Sequence, residues 1–146
     1  MIEPGEVPKS LKFMVAEVVS MATGDPYCAA HNAENAVEVG GLDTAKVEAL
    51  AQFRTSPLFD AAERAALELA DAAGSAPPRV TDAHFEALKQ HYSEDAIVEI
   101  VAVLALLGWL NRWCMTFATE IEDRALEFGE KHLARSGWSP GAHGKN

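Results

Sequence analysis

The sequence predicts an all-α protein, a single-domain bundle of about seven helices. Three observations carry this. No segment shows strand-like alternation of apolar and polar residues over a useful length. Apolar residues recur instead at three- and four-residue intervals, as in Leu11, Met14, Val15, Val18 and Ala22. Helix starts and stops are frequent, with Ser, Thr or Asp ahead of apolar runs and Gly or Pro behind them.

Taken in order, Pro4, Gly5 and Pro8 break residues 1–8 into an arm. Ser10 is placed to cap a helix over 11–23. Gly24 ends it, Asp25 caps the next, and Pro26 suits that helix's first position. This second helix reaches about Val39 and stops at Gly40-Gly41. Its face of Ala29, Ala33, Ala36 and Val37 would let a neighbour approach closely. Asp43 or Thr44 caps a third helix ending near Phe53. Ser56-Pro57 breaks the chain, and a fourth helix covers 60–73. Gly74-Ser75-Ala76-Pro77-Pro78 is the clearest loop. Thr81 caps a short fifth helix to about His91. Ser93 caps the longest, which stays apolar on almost every side from Ala96 to Leu110. Such a helix is expected to be the buried centre of the bundle or an oligomer interface. A last helix over 123–135 precedes a Gly- and Pro-containing tail, 137–146.

Composition narrows the function. With 146 residues, 49% hydrophobic and 23% charged, the chain can build a real core. A formal net charge of −10 disfavours nucleic acid and anionic membranes as partners. The start, Met-Ile-Glu-Pro-Gly-Glu, lacks the basic and apolar parts of a signal peptide. The apolar run 100–110 is too short to span a bilayer. Two cysteines make no disulfide framework, so the expected compartment is a reducing cytoplasm.

The chemistry gathers at Thr23-Gly24-Asp25-Pro26-Tyr27-Cys28-Ala29-Ala30-His31-Asn32. Cys28 falls in the first turn of the second helix, where free N–H groups and the dipole favour a thiolate. The Asp25 carboxylate opposes that ionisation. His31, three residues on, shares a face with Cys28 and could move its proton or a substrate's. A free cysteine is otherwise a small buried hydrophobe, and a histidine alone often has no task. Asn32 and Asn35 could donate hydrogen bonds there. Glu17, flanked by Phe13 and Met21, is either an acid of raised pKa or a solvated rim residue. Trp109, Asn111, Arg112 and Trp113 return polar groups to the end of the long apolar helix. Arg112 suggests a carboxylate partner or an anionic ligand, whereas the tryptophans could line a pocket or simply pack. Cys114 is expected to be unpaired. No metal is expected: Cys28-x-x-His31 is half of a zinc pattern, and His84, His91, His132 and His143 are scattered. No phosphate loop, G-x-S-x-G or H-E-x-x-H motif points to a cofactor or hydrolase.

The runs Leu11-Lys12-Phe13-Met14-Val15-Ala16-Glu17-Val18-Val19-Ser20 and Gly24-Asp25-Pro26-Tyr27-Cys28-Ala29-Ala30-His31 resemble the carboxymuconolactone decarboxylase family with its AhpD-like alkylhydroperoxidases. Gly108-Trp109-Leu110-Asn111-Arg112-Trp113, Ala118-Thr119-Glu120-Ile121-Glu122 and the tail Ser136-Gly137-Trp138-Ser139-Pro140-Gly141 resemble one branch of it. The resemblance implies an AhpD-like helical fold, assembled as a homo-trimer or hexamer. In the peroxidase members a C-x-x-C pair opens the equivalent helix. Its second cysteine attacks peroxide, the first resolves the product, and a glutamate and a histidine relay protons. Cys28 matches the second cysteine and His31 the histidine of the C-x-x-H branch. Asp25 stands where the first cysteine would be. The usual relay glutamate would fall near Phe13, with Glu17 one turn later.

The implied activity is a thiol peroxidase-like oxidoreductase on small hydroperoxides. Cys28 is its nucleophile, His31 its acid–base group and Glu17 its relay, with Asp25, Tyr27, Asn32, Asn111, Arg112 and Trp113 around the substrate. An external thiol or Cys114 would then reduce the Cys28 sulfenic acid. Two alternatives stay open. One is a decarboxylase- or isomerase-like enzyme on a carboxylated lactone, with Arg112 holding the carboxylate. The other is a catalytically degenerate small-molecule-binding oligomer.

Overall fold

Pro8 ends the N-terminal arm and opens α1 (Lys9–Thr23), two residues ahead of the expected start, without a side-chain cap. Gly24 closes it in the left-handed conformation (φ 80°), which a residue without Cβ adopts freely. The chain then forms α2 (Pro26–Glu38), α3 (Thr44–Glu48), α4 (Ala61–Gly74), α5 (Asp82–Leu88), α6 (Glu94–Phe117) and α7 (Asp123–His132). Single 3₁₀ turns follow α3, follow α7 and close the tail at Gly141–His143. The computed structural model describes residues 5–144, and no strand occurs among them. The expected arm and tail therefore extend beyond the described residues at Met1–Pro4 and at 145–146.

Local chemistry sets the boundaries as expected at most helix starts. Asp25, Asp43 and Ser93 accept backbone N–H groups at the heads of α2, α3 and α6. Asp60 and Glu63 form a reciprocal capping box on α4. The third and last expected helices are each shorter, giving way to a 3₁₀ turn. Tight i→i+3 bonds there satisfy carbonyls that a frayed end would expose.

The buried centre is α1 rather than α6. Ten consecutive residues of α1, Leu11 through Ser20, are buried because α2, α4 and α6 all pack against it. Ala29, Ala33 and Ala36 of α2 are buried and small, which permits the close approach of these helices. Lys12 reaches from this core to an ion pair with Glu99. Arm residue Val7 is also buried, with its N–H donating to Glu99 Oε2 at 2.9 Å.

Helix α6 buries only one face, through Ile100, Val103, Leu104, Leu107, Asn111 and Cys114. Its other side exposes Val98, Val101, Trp109, Trp113 and Phe117. The three aromatic rings form a ladder, with centroids 5.8 Å and 4.9 Å apart. At 24 residues α6 is longer than its apolar run, and length and composition alone would let it cross a membrane. Here its buried face packs on α1, α2 and α4.

Candidate active site

Asp25 joins two parts of the site. As the cap of α2, its Oδ1 accepts the Cys28 N–H at 3.1 Å. Its carboxylate also stands with the sulfurs of Cys28 and Cys114, the ligand atoms of all three lying within 4.8 Å of one another. All three residues are buried, and both cysteines are free thiols. Asp25 Oδ2 is buried with no hydrogen-bond partner among the described residues.

This environment holds Cys28 as a thiol. Burial pushes its pKa far up, and the Asp25 carboxylate and then Cys114 push the same way. The helix dipole is thus outweighed, in contrast to the thiolate expected from the helix start. Burial also raises Cys114, against hydrogen bonds from Cys28 and Thr119 that favour its charged form.

A cavity of about 540 Å³ lies beside this cluster. Met21, Gly24, Asp25 and Ala29 form one wall, and Met115 contributes from α6. The tail adds to the lining through Trp138 and His143. Both cysteines stand behind this lining, each 6% exposed. The Trp138 indole N–H donates to the Pro26 carbonyl at 3.0 Å, fastening the tail to the head of α2. Gly129 makes this fit possible: a Cβ there would come within 2.6 Å of the Trp138 ring. His143 is buried, and its Nδ1 sits 2.8 Å from the Thr119 carbonyl. The His143 carbonyl accepts the Ile121 N–H at 2.9 Å.

His31 is engaged elsewhere. Its Nδ1 lies 2.9 Å from the Tyr27 carbonyl and its Nε2 2.7 Å from Glu122 Oε2. Both neighbours are acceptors, so both contacts are hydrogen bonds only when the ring carries both protons. The Tyr27 hydroxyl adds a 3.3 Å bond to Glu122 Oε1. Burial, then Glu122, raise Tyr27 to about 12. On Glu122 itself, burial is outweighed by its own backbone N–H, His31 and Tyr27, and its carboxyl is held below the usual range.

The other expected site residues take different environments. Glu17 is fully buried in α1, with both carboxylate oxygens unpartnered among the described residues, and burial holds its pKa well above normal. Asn111 is a buried bridge: its Oδ1 accepts from Ser20 Oγ at 3.0 Å and its Nδ2 donates to Thr23 Oγ1 at 3.4 Å. Arg112 and Trp113 are exposed on α6. They follow Asn111 by steps of about 100°, which turn them off the face that Asn111 shares with Cys114. Asn32 is half-buried outside the cavity lining. Residues given no role from the sequence enter instead: Thr119, Glu122 and Trp138, which lie in the family-like stretches, and His143. An aromatic and a histidine in an otherwise breaker-rich tail were the available clue.

Residues 1–72 match the model of the carboxymuconolactone decarboxylase family. The debrominase Bmp8, solved both apo and as a cysteine-to-alanine variant in complex with 2,3,4-tribromopyrrole, superposes with a TM-score of 0.83 at 35% identity. The alignment covers 87% of this chain and, for the apo structure, 68% of Bmp8. The chain belongs to the carboxymuconolactone decarboxylase family. The chain is also similar to YnjA of Escherichia coli (strain K12), 44% identical over 61 residues. That match spans 42% of this chain and about a third (34%) of YnjA. The fold is also that of ATU0492 from Agrobacterium tumefaciens, a protein of unknown function named for AhpD-type antioxidant defence. That likeness has a TM-score of 0.71 at 23% identity over 81% of this chain and 80% of ATU0492.

Proposed function

We propose that this family member is a thiol-dependent oxidoreductase that reduces small hydroperoxides, with Cys28 attacking and Cys114 resolving. The observation that carries it is the approach of the two sulfurs beside Asp25. The Cys28 sulfur bonds to the peroxide oxygen as the O–O bond breaks, giving a sulfenic acid and an alcohol. The Cys114 thiol then displaces water from that sulfenic acid and forms a disulfide. An external thiol returns the pair to the reduced state. Cys114 thereby replaces the cysteine that Asp25 removes from the C-x-x-C pattern, and a reducing cytoplasm suits two free thiols.

A second substrate class is supported by the likeness to Bmp8. The same dithiol can remove bromine from an aromatic ring: two thiols become a disulfide, and carbon–bromine becomes carbon–hydrogen plus bromide and a proton. The reading with a carboxylated lactone loses its anchor, because Arg112 is exposed outside the cavity lining. Asp25 in the cavity wall would also repel a carboxylate.

The test is hydroperoxide consumption with dithiothreitol as reductant, beside mass analysis of the chain. Wild type should turn over and show a Cys28–Cys114 disulfide. Cys28→Ser should lose both. With dithiothreitol removed before peroxide is added, Cys114→Ser should consume one equivalent and stop at a sulfenic acid that dimedone traps. Unchanged consumption by Cys28→Ser, or no disulfide under excess peroxide, overturns the reading.

A further inference from the structure

The geometry points to His143, in the C-terminal tail, as the catalytic proton carrier of the cavity, the role that spacing alone assigns to His31. The inference rests on the thiol chemistry proposed above, and separate observations carry it.

His31 is poorly placed for the task. Both its nitrogens already face acceptors, and it lies outside the cavity lining. A ring held at both ends must break a contact before it can take up or hand over a proton. Among the described residues His143 is held at Nδ1. It lines the same cavity as Asp25, and its Nδ1 faces the Thr119 carbonyl. That carbonyl is an acceptor, so Nδ1 keeps its hydrogen and the exchangeable site is Nε2.

One residue links the neighbourhood of His143 to that of Cys114. Thr119, whose carbonyl fixes the ring, also places its hydroxyl beside the Cys114 thiol. The Tyr27 ring lies 6.0 Å from the His143 ring. The titratable groups nearest these contacts are Asp25, which caps α2, Tyr27 of α2, Cys114 of α6 beside Thr119, and Glu122, bonded to Tyr27.

The reaction needs such a carrier, because Cys28 rests as a thiol. When sulfur bonds oxygen and the O–O bond breaks, the thiol hydrogen must leave sulfur as a proton. The departing alkoxide must gain one. His143 Nε2 takes the first proton and supplies the second, so the ring ends the step as it began. Trp138 and its bond to Pro26 hold the tail in the position this requires.

Two measurements on the full chain test this, each from about pH 5 to 9, the range that brackets histidine titration. One is the rate of Cys28–Cys114 disulfide formation with cumene hydroperoxide. The other is alkylation of Cys28 by iodoacetamide in a Cys114→Ser background, which needs no turnover. His143→Gln should slow both at least tenfold and remove the inflection in the histidine range. His31→Gln should stay within threefold of its parent and keep that inflection. Added imidazole should restore alkylation in His143→Ala, which a purely structural role would not allow. Loss of the inflection in His31→Gln, or its persistence at full rate in His143→Gln, overturns the inference. If wild type forms no disulfide, the dithiol reading falls, and the alkylation arm still decides the role of His143.

Discussion

The sulfurs of Cys28 and Cys114 approach within 4.8 Å, one from the first turn of α2 and the other from the last turns of α6. A disulfide needs about 2.05 Å. The pair therefore stands poised for bonding as two free thiols.

Asp25 suppresses the reactivity of its neighbour. Its charge raises Cys28, and Asn can still accept the Cys28 N–H at the helix cap. Asp25→Asn should therefore lower the apparent pKa of Cys28. Iodoacetamide alkylation at pH 8 should rise severalfold, since a lower thiol pKa leaves more thiolate. A rate equal to or below that of wild type would show that the Asp25 charge does not set the thiol.

Glu17 should make stability depend on pH. Burial raises its folded pKa above that of the unfolded chain, so the unfolded state loses its proton first. Stability is then fully present below the unfolded pKa, near 4.3, and falls as pH rises toward the folded value, by at most about 1.4 kcal/mol per pH unit. Glu17→Gln carries no such charge. Denaturant unfolding at pH 5 and pH 8 should show the variant gaining on wild type at the higher pH. Parallel curves would show that Glu17 ionises freely in the folded protein.

The tail depends on an empty position in α7. A Cβ at residue 129 would press on the Trp138 ring. Gly129→Ala should cost about 1–3 kcal/mol from overpacking, partly offset by better helix propensity. It should also slow peroxide-driven disulfide formation by displacing the cavity wall. Wild-type melting and rate together would show that the tail packs elsewhere.

We propose the apolar ladder on α6 as the contact between copies of this chain in the homo-oligomer that the family resemblance implies. Trp109, Trp113 and Phe117 are each more than half exposed and lie along one helix face. Continuous apolar faces of this kind mark interaction sites. Replacing Trp113 and Phe117 by Glu should convert a homo-oligomer to monomer in light-scattering chromatography. A wild-type chain already monomeric at micromolar concentration would remove this partner.

Local rules determined much of this protein from sequence. The helical class, the caps at Asp25 and Ser93, the left-handed Gly24 and the small face of α2 follow from neighbours within one turn. The family-like stretch around Cys28 was legible for the same reason. Tertiary packing decided the rest. Which apolar helix became central depended on how many neighbours it acquired, and α1 acquired them on every side. Burial, visible only in three dimensions, reversed the expected ionisation of Cys28. The pairing of His31 with Glu122, the approach of Cys114 and the return of His143 to the cavity join residues far apart in the chain. Sequence spacing carries no distance across such separations, so only the packed bundle could set them.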